Sequence, residues 1–93
     1  MVRAIVLHRE DNVATMIDDG QARERARLIG EGSGEIELRA GIPFGHKFAT
    51  RLIPKGGKIL KYGHVIGQAL SSIEQGAHVH VHNVEALRGR GDL

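Results

Sequence analysis

The sequence predicts an all-β, or at least β-dominated, single domain carrying a few short helical turns, and three observations predict it. At 93 residues the chain has room for one domain, which buries roughly two thirds of its unfolded surface. Several short segments alternate apolar and polar residues at the period of a half-buried strand. A weak internal repeat, an Ile, two linking residues and a Gly, recurs as Ile17-Asp18-Asp19-Gly20, Ile53-Pro54-Lys55-Gly56 and Ile73-Glu74-Gln75-Gly76, with Ala49 and Ala69 placed four residues ahead of the last two. Each copy reads as a turn whose apolar end docks in the core, whose Gly accepts positive φ, and from which a strand departs. Such repetition implies a compact β module with internal pseudo-symmetry.

Taken in order, Arg3 to His8 reads as a first strand, after which Asp11 or Asn12 is placed to cap a short helical turn through Val13-Ala14-Thr15-Met16-Ile17. Gln21 to Ile29 fits both a strand, because Arg23, Arg25 and Arg27 alternate with Ala22, Glu24, Ala26 and Leu28, and a helical face through Ala22, Ala26 and Ile29; the repeat favours strand. Glu31-Gly32-Ser33-Gly34 is a loop, and Glu35-Ile36-Glu37-Leu38-Arg39 alternates as a half-buried strand. Ile42-Pro43 sets an extended approach to Phe44-Gly45-His46-Lys47. Lys58-Ile59-Leu60-Lys61 and His64-Val65-Ile66 flank Tyr62-Gly63 as two strands flank a tight hairpin turn. The last expected strand is Ala77 to Val84. The domain is thus expected over residues 1–84, with 85–93 as a C-terminal tail.

Composition narrows the function classes. Hydrophobic residues at 41% and charged residues at 26% are those of a globular protein and not of a disordered one. Aromatics make up only 3%, namely Phe44, Phe48 and Tyr62, so the core falls to Val, Ile, Leu and Ala, and a partner is a plausible source of added stability. The absence of cysteine removes disulfides, thiolate metal sites and thiol nucleophiles, leaving His and carboxylate as metal donors. No signal-like N-terminus and no membrane-length apolar run is present, so the expected location is cytoplasmic, with no membrane partner. A formal charge of +2 spread along the chain argues against nucleic acid. The Arg-Gly end, Leu87-Arg88-Gly89-Arg90-Gly91-Asp92-Leu93, is too short a tract to reverse that and reads as a tail that orders on a partner.

The run His78-Val79-His80-Val81-His82 is where chemistry concentrates. On a strand, successive side chains face opposite ways, so the three imidazoles share one face while Val79, Val81 and Ala77 turn towards the core. Neighbours on that face stand roughly 6.5–7 Å apart, close enough for two imidazoles to converge on a divalent metal with a third donor from elsewhere. The remaining histidine would then bind substrate or orient a ligand. The competing reading is an edge strand whose polar face happens to be His. His46 and Lys47, after a Gly in a proline-set loop, offer an imidazole and an ammonium from a constrained position. His8 and His64 fall at strand ends, where an exposed ring needs no function.

Asp11-Asn12-Val13-Ala14-Thr15, Ile42-Pro43-Phe44-Gly45-His46-Lys47-Phe48-Ala49, Ile59-Leu60-Lys61-Tyr62-Gly63 with Ile66-Gly67, and His78-Val79-His80-Val81-His82-Asn83 resemble the N-terminal, SAF-type domain of altronate and galactarate dehydratases, a group that includes the small subunit of (2R)-sulfolactate sulfo-lyase. The resemblance covers most of the chain. It implies a β-clip fold and elimination of water, or of sulfite, from hydroxy acids with a divalent metal, Fe²⁺ or Mn²⁺. It implies a large dehydratase subunit as partner, with this chain inactive alone. Departures are the Arg- and Gly-rich stretch from Gln21 to Gly34, and Gly57 and Ala77 where relatives often carry Glu.

On that basis the expected site has His46 and Lys47 in catalytic roles, His80 and His82 as metal ligands, and His78, Asn83 and Asn12 as substrate-binding or supporting residues. Removal of a proton next to a carboxylate and loss of a β-hydroxide need both a polarising charge and a positioned acid. Which imidazole is ligand and which acid or base stays open, as does the state of self-association. The rival reading is a non-catalytic module of the same fold that binds carbohydrate or metal.

Overall fold

The computed structural model describes residues 1–86; the Arg-Gly segment singled out above, 87–93, lies outside the described residues. Strand β1 is Val2–Val6, β2 Val13–Met16, β3 Arg25–Gly30, β4 Glu35–Glu37, β5 Lys47–Ala49, β6 Lys58–Lys61, β7 His64–Ala69, β8 His78–Val79 and β9 Val84–Ala86. Two sheets result, one in the order β4-β3-β1-β2-β5-β8 and one in the order β6-β7-β9. Among the described residues only β1 and β3 pair in parallel, from Val2 opposite Ala26 to Val6 opposite Gly30; the other pairs are antiparallel. The molecule is all-β, with no helix among the described residues, and none is therefore long and apolar enough to cross a membrane.

Alternation explains the sheets where it is present. Val2, Ala4 and Val6 of β1 are buried, while Arg3 faces out and pairs with Asp18 at 3.0 Å. The strand reading of the arginine-rich segment holds from Arg25 onward, with Arg25 and Arg27 exposed and Ala26 buried between them. The helical turn expected over Val13 to Ile17 does not form. That stretch is β2, claimed on one side by β1 and on the other by β5, and two sets of ladder bonds outweigh a local cap. Asp11 and Asn12 spend their side chains elsewhere, on the β6–β7 hairpin.

The repeat is real, but its first copy is placed differently. Four turns share one geometry: a bridging residue, a turn closed from residue i to i+3, a left-handed residue, then a strand. They are Gly20 to Glu24, Ile42 to His46, Ile53 to Gly57 and Ile73 to Ala77, closed by Glu24 N–H to Gln21 O, His46 N–H to Pro43 O, Gly57 N–H to Pro54 O and Ala77 N–H to Glu74 O. The left-handed residues are Arg23 (φ 74°), Gly45 (84°), Gly56 (83°) and Gly76 (84°). Gly20 bridges to Ile42, and Ile53 to Ile73, so the four turns stand as two pairs. The copy read at Ile17-Gly20 is therefore shifted: Gly20 holds the place of the repeat's Ile, and Arg23 the place of its Gly.

Two apolar clusters make the core. One gathers Val2, Ala4, Val6, Ala14, Met16, Ala26, Ile36, Leu38, Ile42 and Phe48, the other Val13, Ala49, Ile53, Ile59, Ala69, Ile73 and Val79. Strand β5 gives Phe48 to the first and Ala49 to the second, so it runs along their junction. The expected strand from Ala77 to Val84 is interrupted. After two residues of β8 the chain turns through 80–83 and re-enters as β9 in the other sheet. Val79 is buried as expected, but Val81 is 80% exposed at the tip of that turn and does not reach the core.

Candidate functional site

His46 leaves the second of the four turns directly. Gly45 N–H donates to Met16 O at 2.9 Å and Met16 N–H donates to His46 O at 2.8 Å, so the residue is tied to the end of β2 before β5 begins. Opposite it, β8 pairs with β5 through Lys47 opposite Val79 and Phe48 opposite His78. The turn that follows is closed by Asn83: its Oδ1 accepts from His80 N–H at 3.0 Å and its Nδ2 donates to His78 O at 2.8 Å. Asn83 N–H also donates to His80 O at 3.1 Å. An Asx-type closure of this kind explains why the alternating run does not continue as a strand, since the side chain satisfies backbone groups that a sheet partner would otherwise take.

These constraints bring His46, His78 and His80 together, all half-buried, with one ring nitrogen of each within 4.8 Å of the others. His46 Nδ1 and His78 Nε2 share a hydrogen bond of 2.9 Å. The rings of His46 and His80 stack at 4.4 Å, those of His78 and His80 at 5.2 Å and only 9° from parallel. His82 adjoins the group at 5.6 Å from the His78 ring, tilted by 46° and exposed. Two of the run's imidazoles, His78 and His80, thus stand beside His46, with His82 adjoining, carried by a two-residue strand and a turn where one longer strand was expected.

Burial, and then the neighbouring charge of His46, His80, His82 and Lys47, pushes the His78 imidazole down to about 4. His80 is lowered by burial first and then by His46, Lys47 and His82. Both rings are therefore neutral at pH 7, the form in which imidazole donates a lone pair to a metal. The donors are of the type a divalent transition ion takes, and one pair already has the spacing: nitrogens bound side by side to one metal at about 2.1 Å lie about 3 Å apart, the separation of the His46–His78 pair. Imidazole donors suit Fe²⁺, Zn²⁺, Ni²⁺ and Cu²⁺ better than the hard cations.

A groove of about 420 Å³ opens beside the cluster, lined by Lys47, Lys61, Tyr62, Ile66, His80, Val81, Val84 and Ala86. Lys47 is half-buried in it and its ammonium is lowered by burial first and by Lys61 second. Among the residues singled out from sequence, His46, Lys47, His78, His80, His82 and Asn83 therefore lie in one neighbourhood. Asn12 does not join them. It is 5% exposed, and its amide is fully engaged, donating to Lys58 O and accepting from Leu60 N–H, both at 2.8 Å. His8 lies against Gly63, and His64 is exposed outside the cluster. Sequence reasoning gave Lys61 no role, although it opens the Lys-Tyr-Gly block; its neighbour Lys47 shows that the signal needed was which cations share a groove, which spacing does not carry.

Comparison with known proteins adds to this geometry. The family described as the altronate/galactarate dehydratase SAF domain matches residues 2–87. Altronate dehydratase of Bacillus subtilis is 40% identical over 81 residues, covering 87% of this chain and 16% of that protein. Galactarate dehydratase (L-threo-forming) of Escherichia coli is 37% identical over 75 residues, covering 81% of this chain and 14% of that protein. The (2R)-sulfolactate sulfo-lyase subunit alpha of Chromohalobacter salexigens is 44% identical over 54 residues, covering 58% of this chain and 57% of that subunit. The chain spans less than a fifth of the length of the dehydratases it matches.

Proposed function

Because the chain belongs to the altronate/galactarate dehydratase SAF-domain family, we propose that it is the histidine-bearing small module of a metal-dependent hydro-lyase, dehydrating a sugar acid of the altronate or galactarate type to a 2-keto-3-deoxy acid. The observation that carries the reading is the gathering of His46, His78 and His80, with one ring nitrogen of each within 4.8 Å of the others. In this reading those three rings hold the ion, Fe²⁺ being favoured over Mn²⁺ by an all-imidazole set. An ion held there would supply positive charge beside the substrate carboxylate. Lys47 takes the substrate carboxylate, and His82, outside the trio but beside His78, is the imidazole free to carry a proton to the departing hydroxyl. Asn83 fixes the turn on which His78 and His80 stand.

The groove is shallow and flanked by exposed apolar side chains, Tyr62 and Val81. A large dehydratase chain or domain covering it would complete the pocket, in line with the small share of the dehydratases that this chain spans. A second reading, loss of sulfite in place of water, is favoured by the 44% identity to a sulfo-lyase subunit.

The test is reconstitution. The purified chain alone should leave altronate, galactarate and (2R)-sulfolactate unchanged, and addition of a large dehydratase chain with Fe²⁺ should release a 2-keto-3-deoxy acid. His46→Ala, His78→Ala and His80→Ala should each weaken Fe²⁺ or Zn²⁺ binding by roughly ten- to a hundredfold, the range seen when a metal site loses a supporting group or more, with His64→Ala unchanged. Full metal affinity in all three variants, or turnover by the small chain alone, rejects the reading; sulfite release without dehydration selects the second.

A further inference from the structure

The β6–β7 hairpin is anchored more heavily than a surface turn requires. Asn12 holds the backbone before Lys61, through Lys58 O and Leu60 N–H. Asp11, 4% exposed, holds the backbone after it: its carboxylate accepts from Tyr62 N–H at 3.0 Å and Gly63 N–H at 2.8 Å, as well as from His8 N–H at 3.1 Å. Two buried polar side chains from a loop distant in sequence thus clamp the chain on both sides of one lysine. Between these anchors the hairpin turn holds Tyr62 in left-handed backbone (φ 59°), a conformation that bulky residues adopt at a cost.

The clamp fixes the backbone that carries Lys61. Its side chain is half-buried, its ammonium lies 5.4 Å from the Tyr62 ring centroid, and it lines the same groove as Lys47 and His80. Among the described residues no ion pair joins either lysine to a carboxylate. Two like charges facing one partly apolar groove repel one another unless an anion lies between them. We propose that Lys61, with Lys47, forms an oxyanion subsite beside the histidine cluster, taking a carboxylate of the hydroxy-acid ligand, so that Lys61 is a specificity-determining residue. This rests on the preceding reading for the identity of the ligand but not for the existence of the subsite, since neither lysine is needed to hold a metal.

The experiment uses the full chain freed of metal by chelator, with the ε-methylene signals of its lysines followed by NMR. Galactarate should shift Lys47 and Lys61, whereas galactitol, the same carbon chain without carboxylates, should shift neither. Lys61→Gln should weaken galactarate binding roughly fivefold or more, as expected for loss of a charge-assisted contact, while Lys58→Gln, on the same strand but outside the groove, should not. Equal shifts with galactitol, wild-type affinity in Lys61→Gln, or no charge-dependent shift at all overturns the subsite. Broadening of the His46, His78 and His80 signals by Ni²⁺, an ion that imidazole suits, is read separately. Its absence alongside lysine shifts would reject the metal centre and keep the subsite; its presence without them would do the reverse.

Discussion

At the scale of single residues, the cluster sets a pH dependence whose direction follows from His78. Its pKa is about 4 in the folded chain against an ordinary value of 6.5, so between those values the unfolded chain binds more protons and stability rises with pH. The contribution is complete above about pH 6.5 and is lost as pH falls towards 4. Thermal unfolding across that range should show the midpoint climbing with pH, and His78→Gln should flatten the climb; an unchanged slope in that variant would place the titration elsewhere. The same crowding explains what was legible here. Three histidines at alternate positions announce a shared side; His78 and His80 do come together, with His82 beside His78, but spacing says nothing of His46, which joins them because the residues opposite β8 belong to β5.

At the scale of elements, most strands could be read because alternation and turn chemistry agree, as in β1, β4 and the Tyr62-Gly63 hairpin with both residues left-handed. Two elements could not. Val13 to Met16 lacks a polar face because its two faces meet different apolar clusters, Ala14 and Met16 one and Val13 the other, so its pattern resembles a short helix. The histidine run alternates perfectly, yet Asn83 closes it into a turn after Val79. The repeat was visible in Ile-Pro-Lys-Gly and was missed in Ile42-Pro43-Phe44-Gly45, its nearest match, while its first copy was hidden because Arg23 stands where the others carry Gly. That substitution makes a prediction. Arg23→Gly should remove left-handed strain at an exposed turn and stabilise the chain by about 0.5 kcal/mol, the left-handed penalty less glycine's entropy in the unfolded state. Urea unfolding measures it, and destabilisation would mean that the arginine earns its place through a contact.

At the scale of the whole molecule, the internal pseudo-symmetry puts paired turns under two apolar clusters, and the histidines sit where β5 joins those clusters. That arrangement followed from no single segment; it needed the bridges Gly20 to Ile42 and Ile53 to Ile73, contacts between residues twenty or more apart. The six-stranded sheet ends in β8, a strand of two residues. So short a border has few ladder bonds of its own to hold it against local opening. Two of the cluster's rings ride on this border and its following turn, and the third is rooted on the firmer side. Whatever bridges them acts as a clasp, and its affinity is discounted by the time the border spends open. Loading with Zn²⁺ should therefore slow hydrogen exchange along β5 and β8 and leave the distant β4 margin unaltered, so that filling the centre and shutting the hem are a single event.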